Sequence, residues 1–105
     1  MRRLMMCVLL AACSGSENPT RGDGCTQLSA AWCQTASNCA GNWTAGDVAT
    51  CRGTFVLQCC GGPPNTCEAE ASRSQEQIDA CDAALRNWSC SSIQAGALPP
   101  VCITG

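Results

Sequence analysis

Apolar side chains return at helical intervals in three stretches of this chain. Leu28, Trp32 and Ala36 recur every fourth residue between Thr26 and Ser37, which places them on one face of a helix. Val48, Cys51, Phe55 and Gln58 follow Thr44 in steps of three and four, and Ile78, Cys81 and Leu85 follow Ser74 in the same way. Ser74-x-x-Gln77 is a capping-box signature, and Thr44-x-x-Asp47 is a relative of it. The second and third stretches share one plan, a cap followed by an apolar face holding one cysteine. Any capped amphipathic helix with a cysteine would show it. Gly41-Asn42 separates the first two stretches. Gly61-Gly62-Pro63-Pro64-Asn65 ends the second, because proline lacks the N–H a helix needs and its ring clashes with the preceding turn. After Trp88 the periodicity lapses, and Gly96, Pro99 and Pro100 predict an irregular path to Cys102. Strand-like alternation never exceeds four residues. The pattern predicts an all-α domain built on an antiparallel helical hairpin plus a third helix.

Such a domain has little to hold it together by burial alone. Its large apolar candidates are Leu28, Trp32, Val48, Phe55, Leu57, Ile78, Leu85 and Trp88, too few for a self-sufficient core. The chain carries 12 cysteines in 105 residues instead. That density points to a disulfide scaffold and to an oxidising compartment, since a reducing cytosol would keep the thiols apart.

The N-terminus predicts how the chain gets there. Met1-Arg2-Arg3 is a short basic region, and Leu4 to Ala12 form an apolar run far shorter than the roughly 20 residues a membrane span needs. Residues 1–12 therefore read as a cleaved signal peptide. Leu10-Ala11-Ala12-Cys13 resembles the lipobox of bacterial lipoprotein precursors, which implies a lipid on Cys13 and cleavage just before it. Cysteine parity agrees: Cys7 leaves with the signal, Cys13 takes the lipid, and an even ten remain. Ser14, where an aspartate would imply retention in the inner membrane, favours the outer membrane or cell surface; a secreted, soluble form is the alternative. Residues 13–24 are rich in Ser, Gly, Asn and Asp and read as a lipid-anchored flexible linker. Arg21-Gly22-Asp23 spells a tripeptide found in integrin ligands, but it is ordinary linker composition. Residues 25–105 form the disulfide-rich helical domain.

Spacing constrains the pairing of the cysteines. Cys25 and Cys33 are eight residues apart, as are Cys51 and Cys59. Eight residues of helix span about 12 Å, whereas a disulfide needs Cα atoms within about 7 Å, so neither pair closes within its own helix. In a hairpin folded about residue 42 the equal intervals face each other, giving rungs Cys25–Cys59 and Cys33–Cys51. This resembles the twin-cysteine helical hairpins in architecture, although the best-known of those use a longer interval. For the remainder, Cys90–Cys102 would close the C-terminal loop and Cys60–Cys67 the Gly-Pro turn, leaving Cys39–Cys81 to tie the third helix to the hairpin.

Cys33-x5-Cys39, the Gln77-Ile78-Asp79-Ala80-Cys81-x8-Cys90 stretch and the Leu98-Pro99-Pro100-x-Cys102 ending together resemble small cysteine-rich lipoproteins of myxobacteria and related lineages. The resemblance implies a fold and a location and supplies no chemistry.

Composition narrows function mainly by what is missing. The chain has no histidine, which removes the commonest general base and the commonest metal ligand. It has no C-x-x-C motif for zinc or thiol redox work. Past residue 12, four arginines face eight carboxylates, a net charge of −4, and no basic stripe exists for nucleic acid. Glu68, Glu70, Glu76, Asp79 and Asp82 read as helical surface charge, and the vicinal Cys59-Cys60 as two cysteines with separate partners. Asn42-Trp43-Thr44 and Asn87-Trp88-Ser89 match glycosylation sequons, relevant only in a eukaryotic host. We therefore expect no enzyme, no catalytic residue, no cofactor and no metal site. The expectation is a monomeric, membrane-anchored lipoprotein with a structural or interaction role and a protein partner left open. The alternatives are a secreted inhibitor- or toxin-like module displaying Asn38–Thr44 or Gly61–Thr66, and a carrier of a small apolar ligand.

Overall fold

A computed structural model describes residues 18–61 and 64–103. The expected signal peptide, the expected lipidation site Cys13 and the first part of the expected linker lie outside the described residues. The domain is all-α. Its main helices are α1 (Arg21–Ala40), α2 (Ala45–Cys60) and α3 (Gln75–Arg86); a 3₁₀ turn (Pro64–Glu68) and two short helices, α4 (Cys90–Gln94) and α5 (Pro100–Ile103), complete it. Five disulfides hold these pieces together.

Local chemistry sets the helix ends. At α2 the Thr44 hydroxyl accepts from the Asp47 N–H at 3.1 Å and the Asp47 carboxylate accepts from the Thr44 N–H at 2.9 Å. Ser74 and Gln77 close the same reciprocal box at α3, at 3.2 and 2.8 Å. Both boxes satisfy amides that the first turn of a helix leaves orphaned. Gly41 (φ 80°) and Gly61 (φ 78°) end α1 and α2 in the left-handed region, where a side chain would be strained.

Three expectations need correction here. The first helix begins before Cys25: α1 starts at Arg21, because the Thr20 hydroxyl caps it by accepting from the Asp23 N–H at 3.0 Å. Residues 18–24 are thus not a tether. Asn18, Pro19 and Arg21 hydrogen-bond the 69–71 segment, and Arg21-Gly22-Asp23 is the first turn of a helix. Second, the chain after Trp88 is not wholly irregular. Ser89 caps α4 through the Ser92 N–H at 3.1 Å, and Pro100 opens α5, where its missing N–H costs nothing. Helices of four and five residues are too short to show a period. Third, Leu57 is not core; it is 55% exposed. Cys51, Phe55 and Cys59 fix the face of α2 that meets α1, and Leu57, two residues past Phe55, points roughly 200° away from it.

α1 is the central element. It packs against α2, α3, α4 and the 3₁₀ turn, while α5 packs on α3. Leu28, Ala31, Ile78, Cys81, Leu85 and Cys102 form the buried core, with Trp32 and Phe55 packed partly buried against it. Polar groups inside it are satisfied: the Ser29 hydroxyl donates to the Thr26 carbonyl at 2.7 Å, and Thr35 donates to the Leu85 carbonyl at 3.0 Å. α2 contributes one fully buried residue, Cys60. Disulfides hold it where packing does not.

The two rungs are present, Cys25–Cys59 with Cα atoms 5.7 Å apart and Cys33–Cys51 at 5.9 Å, and Cys60–Cys67 closes the Gly-Pro turn at 5.1 Å. The expected Cys39–Cys81 and Cys90–Cys102 bridges are replaced by Cys39–Cys90 at 5.5 Å and Cys81–Cys102 at 4.9 Å. The direction of α3 is the reason. Gln27 meets Asp79 while Thr35 meets Leu85, so α3 runs parallel to α1. Cys81 then lies beside the Leu28–Ala31 level, and Cys39 is at least 12 Å further along the helix, roughly, at 1.5 Å per residue. That is beyond disulfide reach. Cys39 stands past the end of α3, where Cys90 arrives next.

Candidate functional site

Because α2 and α3 both lie against α1 and not against each other, a groove opens between them. Its volume is about 610 Å³. Along its floor, Arg21, Gly24, Cys25, Leu28 and Trp32 follow one face of α1, about 16 Å from first to last at 1.5 Å per residue. Phe55 and Gln58 of α2 form one wall; Ile78 and Leu85 of α3 form the other. Leu98, 42% exposed, sits at the rim with Gly96. Trp32 and Phe55 meet across the α1–α2 contact with ring centroids 6.2 Å apart and planes tilted by 38°.

Gly24 lets the groove take this shape. A Cβ there would fall 2.9 Å from Ile78 Cδ1, so glycine lets Ile78 pack directly on the α1 backbone at that end, and a larger residue would have to turn Ile78 aside. Next to it, a Cβ on Gly22 would fall 3.1 Å from the Cys67 carbonyl oxygen. Both glycines serve close approach. They are not there for flexibility.

Charge is distributed unevenly about the groove. No aspartate or glutamate lines it, whereas Arg21 and Arg73 do. The 69–71 segment hydrogen-bonds the start of α1 through Arg21 N–H to the Ala69 carbonyl at 2.7 Å and Ala71 N–H to the Pro19 carbonyl at 2.8 Å. Both arginines therefore belong to the same end. Two carboxylates, Asp79 and Asp82, belong instead to a latch between α1 and α3. There the Gln27 amide donates to Asp79 and to Asp82, each at 2.9 Å, and the Gln75 amide donates to Gln27 and to Asp79, each at 2.8 Å. Arg86 pairs with Asp82 at 2.6 Å. The amides of Gln27 and then Gln75 hold the Asp79 carboxyl below its ordinary pKa, by hydrogen-bonding its charged form.

Other residues singled out in the sequence fall into structural places. Cys59 and Cys60 bond to separate partners. Asn87 caps the end of α3, its side-chain amide donating to the Ala83 carbonyl at 3.0 Å. Trp88 is half-buried and donates its indole N–H to the Ala97 carbonyl at 2.9 Å, closing the 88–97 loop. Glu68, Glu70 and Glu76 are exposed. Among the described residues no group of three His, Cys, Asp or Glu is arranged to hold a metal ion, and no helix is long and apolar enough to cross a membrane.

The sequence pattern missed Arg21, Arg73 and Leu98 as lining residues. For Arg21 a signal existed: the Leu28–Trp32 row continues backwards through Gly24 to Arg21 under the cap Thr20-x-x-Asp23. For Arg73 and Leu98, which sit in loops, periodicity offers none. No protein-family model matches the chain, nor does any curated protein or solved structure.

Proposed function

We propose that the protein is an exported, membrane-anchored, cysteine-rich lipoprotein whose folded domain binds an apolar ligand in the groove between α1, α2 and α3. The domain acts by binding, and it has no role as a catalyst. Five disulfides suit an exported protein matured in an oxidising compartment, and the lipobox-like Leu10-Ala11-Ala12-Cys13 supports the anchor. The observation that carries the binding role is the groove itself. At about 610 Å³ it falls within the range of small-molecule sites, roughly 300–1,000 Å³. Its lining is mostly apolar, with Leu28, Trp32, Phe55, Ile78, Leu85 and Leu98 set among disulfide-bonded cysteines, in a domain with few large apolar side chains to spare.

The test is a calorimetric titration of the disulfide-intact chain with dodecanol, a neutral apolar probe. Cys13→Ser keeps any lipid attached at that position from competing. Saturable binding that is lost in Leu28→Asn or Leu98→Glu supports the reading. Absence of saturable binding by any apolar probe overturns it and returns the domain to a purely structural role.

A further inference from the structure

The groove has one charged end, and that end selects a class of ligand. We propose that the groove takes a single-chain amphipathic anion, an acyl chain ending in a carboxylate, with the chain along Leu28, Ile78 and Phe55 and the carboxylate between Arg21 and Arg73. This inference rests on the groove-binding role proposed above.

Charge complementarity carries it. Past residue 12 the chain is acidic, four arginines against eight carboxylates, yet no carboxylate lines the groove and two of the four arginines do. Of the other two, Arg86 pairs with Asp82, and Arg52 lies on α2 outside the groove lining. Among the described residues neither the Arg21 nor the Arg73 guanidinium has an ion-pair or hydrogen-bond partner. A guanidinium presents a planar fork of donors matched to a carboxylate.

Arg21 also sits where local electrostatics disfavour it. It is the first residue of the 20-residue α1, at the positive end of the helix dipole, where acids are favoured and bases are not. An arginine there costs helix stability, and an anionic ligand at the same place would be attracted by both the side chain and the helix end. The shape agrees with the charge. From Arg21 to Trp32 the floor runs about 16 Å along α1, a long and narrow path over apolar side chains with the charged groups at one end. That suits one extended chain with a terminal head group better than a compact ring system.

The experiment compares dodecanoate with dodecanol, which have the same chain and differ in the head group, by calorimetry on the full-length Cys13→Ser chain with disulfides intact. Dodecanoate is expected to bind at least about ten-fold more tightly, the scale of a charge-assisted hydrogen bond, and to lose affinity as salt is raised. Arg21→Gln and Arg73→Gln should each reduce that preference, and the double variant should abolish it, so that dodecanoate and dodecanol bind with equal affinity. Arg21→Glu reverses the charge to the sign the helix start itself favours, so its loss of dodecanoate binding would not reflect unfolding. Equal binding of acid and alcohol overturns this inference and leaves the groove reading intact; binding of neither overturns both. Arginine-dependent capture of anionic two-chain phospholipid vesicles without dodecanoate binding would also overturn it, in favour of a membrane-surface contact.

Discussion

Thr35 of α1 donates its hydroxyl to the carbonyl of Leu85, in the last turn of α3, at 3.0 Å in the buried interior. With the Gln27–Asp79 contact eight residues earlier on α1, this bond sets α3 parallel to α1. The parallel register in turn decides which cysteines can meet. The Leu85 carbonyl also accepts from the Trp88 N–H at 3.2 Å. Thr35→Val, which keeps the shape and deletes the donor, is therefore expected to cost about 1 kcal/mol. Thr35→Ser should recover most of it. Urea denaturation of the oxidised protein measures both, and a Thr35→Val variant as stable as the parent would show the bond contributes nothing.

Two glycines in helices should respond oppositely to the same change. Gly53 lies exposed in the middle of α2 with nothing within 4 Å of an added Cβ. Gly53→Ala should thus gain about 1 kcal/mol from helix propensity alone. Gly24→Ala has the same intrinsic gain but sets a Cβ 2.9 Å from Ile78 Cδ1. Turning Ile78 aside costs about 0.5–1.5 kcal/mol and pushes it into the groove. Thermal melts should place Gly24→Ala about 1 kcal/mol below Gly53→Ala; equal gains would mean Ile78 yields freely.

How far the residues themselves announce this architecture differs from element to element. The α2 and α3 starts are legible because a capping box is a local exchange between a cap and the residue three positions on. The Cys25–Cys59 and Cys33–Cys51 rungs are legible because equal cysteine intervals on two antiparallel helices admit one geometry. The start of α1 was obscured by composition: Ser, Gly, Asn and Asp read as a tether until Asn18 and Pro19 are seen bonding to the 69–71 segment. Cys39 and Cys81 could not be paired correctly, because the direction of α3 depends on contacts such as Thr35 with Leu85 that leave no periodic trace. The groove is less legible still. It is the space left when α2 and α3 share α1 without touching, a property of three helices together.

The latch between α1 and α3 gives the domain a weak acid sensitivity. Gln27 and Gln75 hydrogen-bond the charged Asp79 carboxyl and lower its pKa. A lowered folded-state pKa contributes stability that is present above the ordinary aspartate value, about 3.9, and is lost as pH falls through the folded-state value. Gln27→Ala should move the Asp79 pKa upward, toward the ordinary value, and flatten this part of the pH profile. Carboxyl-carbon NMR titration of Asp79 reads the shift directly. An unchanged midpoint in Gln27→Ala would leave Gln75 as the sole cause.

The lipobox-like sequence makes its own prediction. Acyl chains on Cys13 would each add about 0.8 kcal/mol per buried CH₂ to membrane affinity, enough for effectively permanent anchoring by several chains. Cys13→Ala should therefore release the protein from the membrane fraction and block normal processing. Intact mass of the parent reports the cleavage site, the acylation and five disulfides at once. A Cys13→Ala variant that is processed and partitions like the parent would remove the anchor from the proposed function.

The last prediction separates what disulfides hold from what packing holds. α1, α3 and α5 share the apolar core, while α2 packs Phe55, partly buried, against it and leaves Leu57 in solvent. α2 is joined to α1 through Cys25–Cys59 and Cys33–Cys51 and to the 3₁₀ turn through Cys60–Cys67. Removing both rungs with Cys25→Ala, Cys33→Ala, Cys51→Ser and Cys59→Ser should release α2 while α1 and α3 stay paired. Each bridge lost from so small a domain costs typically about 2–5 kcal/mol, against roughly 1–2 kcal/mol of backbone entropy regained per residue set free. Hydrogen exchange should show amides 48–60 losing protection while those of Leu28, Ile78 and Leu85 keep theirs. Full reduction should then unfold the rest, since Cys39–Cys90 and Cys81–Cys102 still brace the remaining core. Peptide maps of single variants test the pairing itself: Cys39→Ser should free Cys90, and a freed Cys81 would restore the bridge that the parallel register forbids.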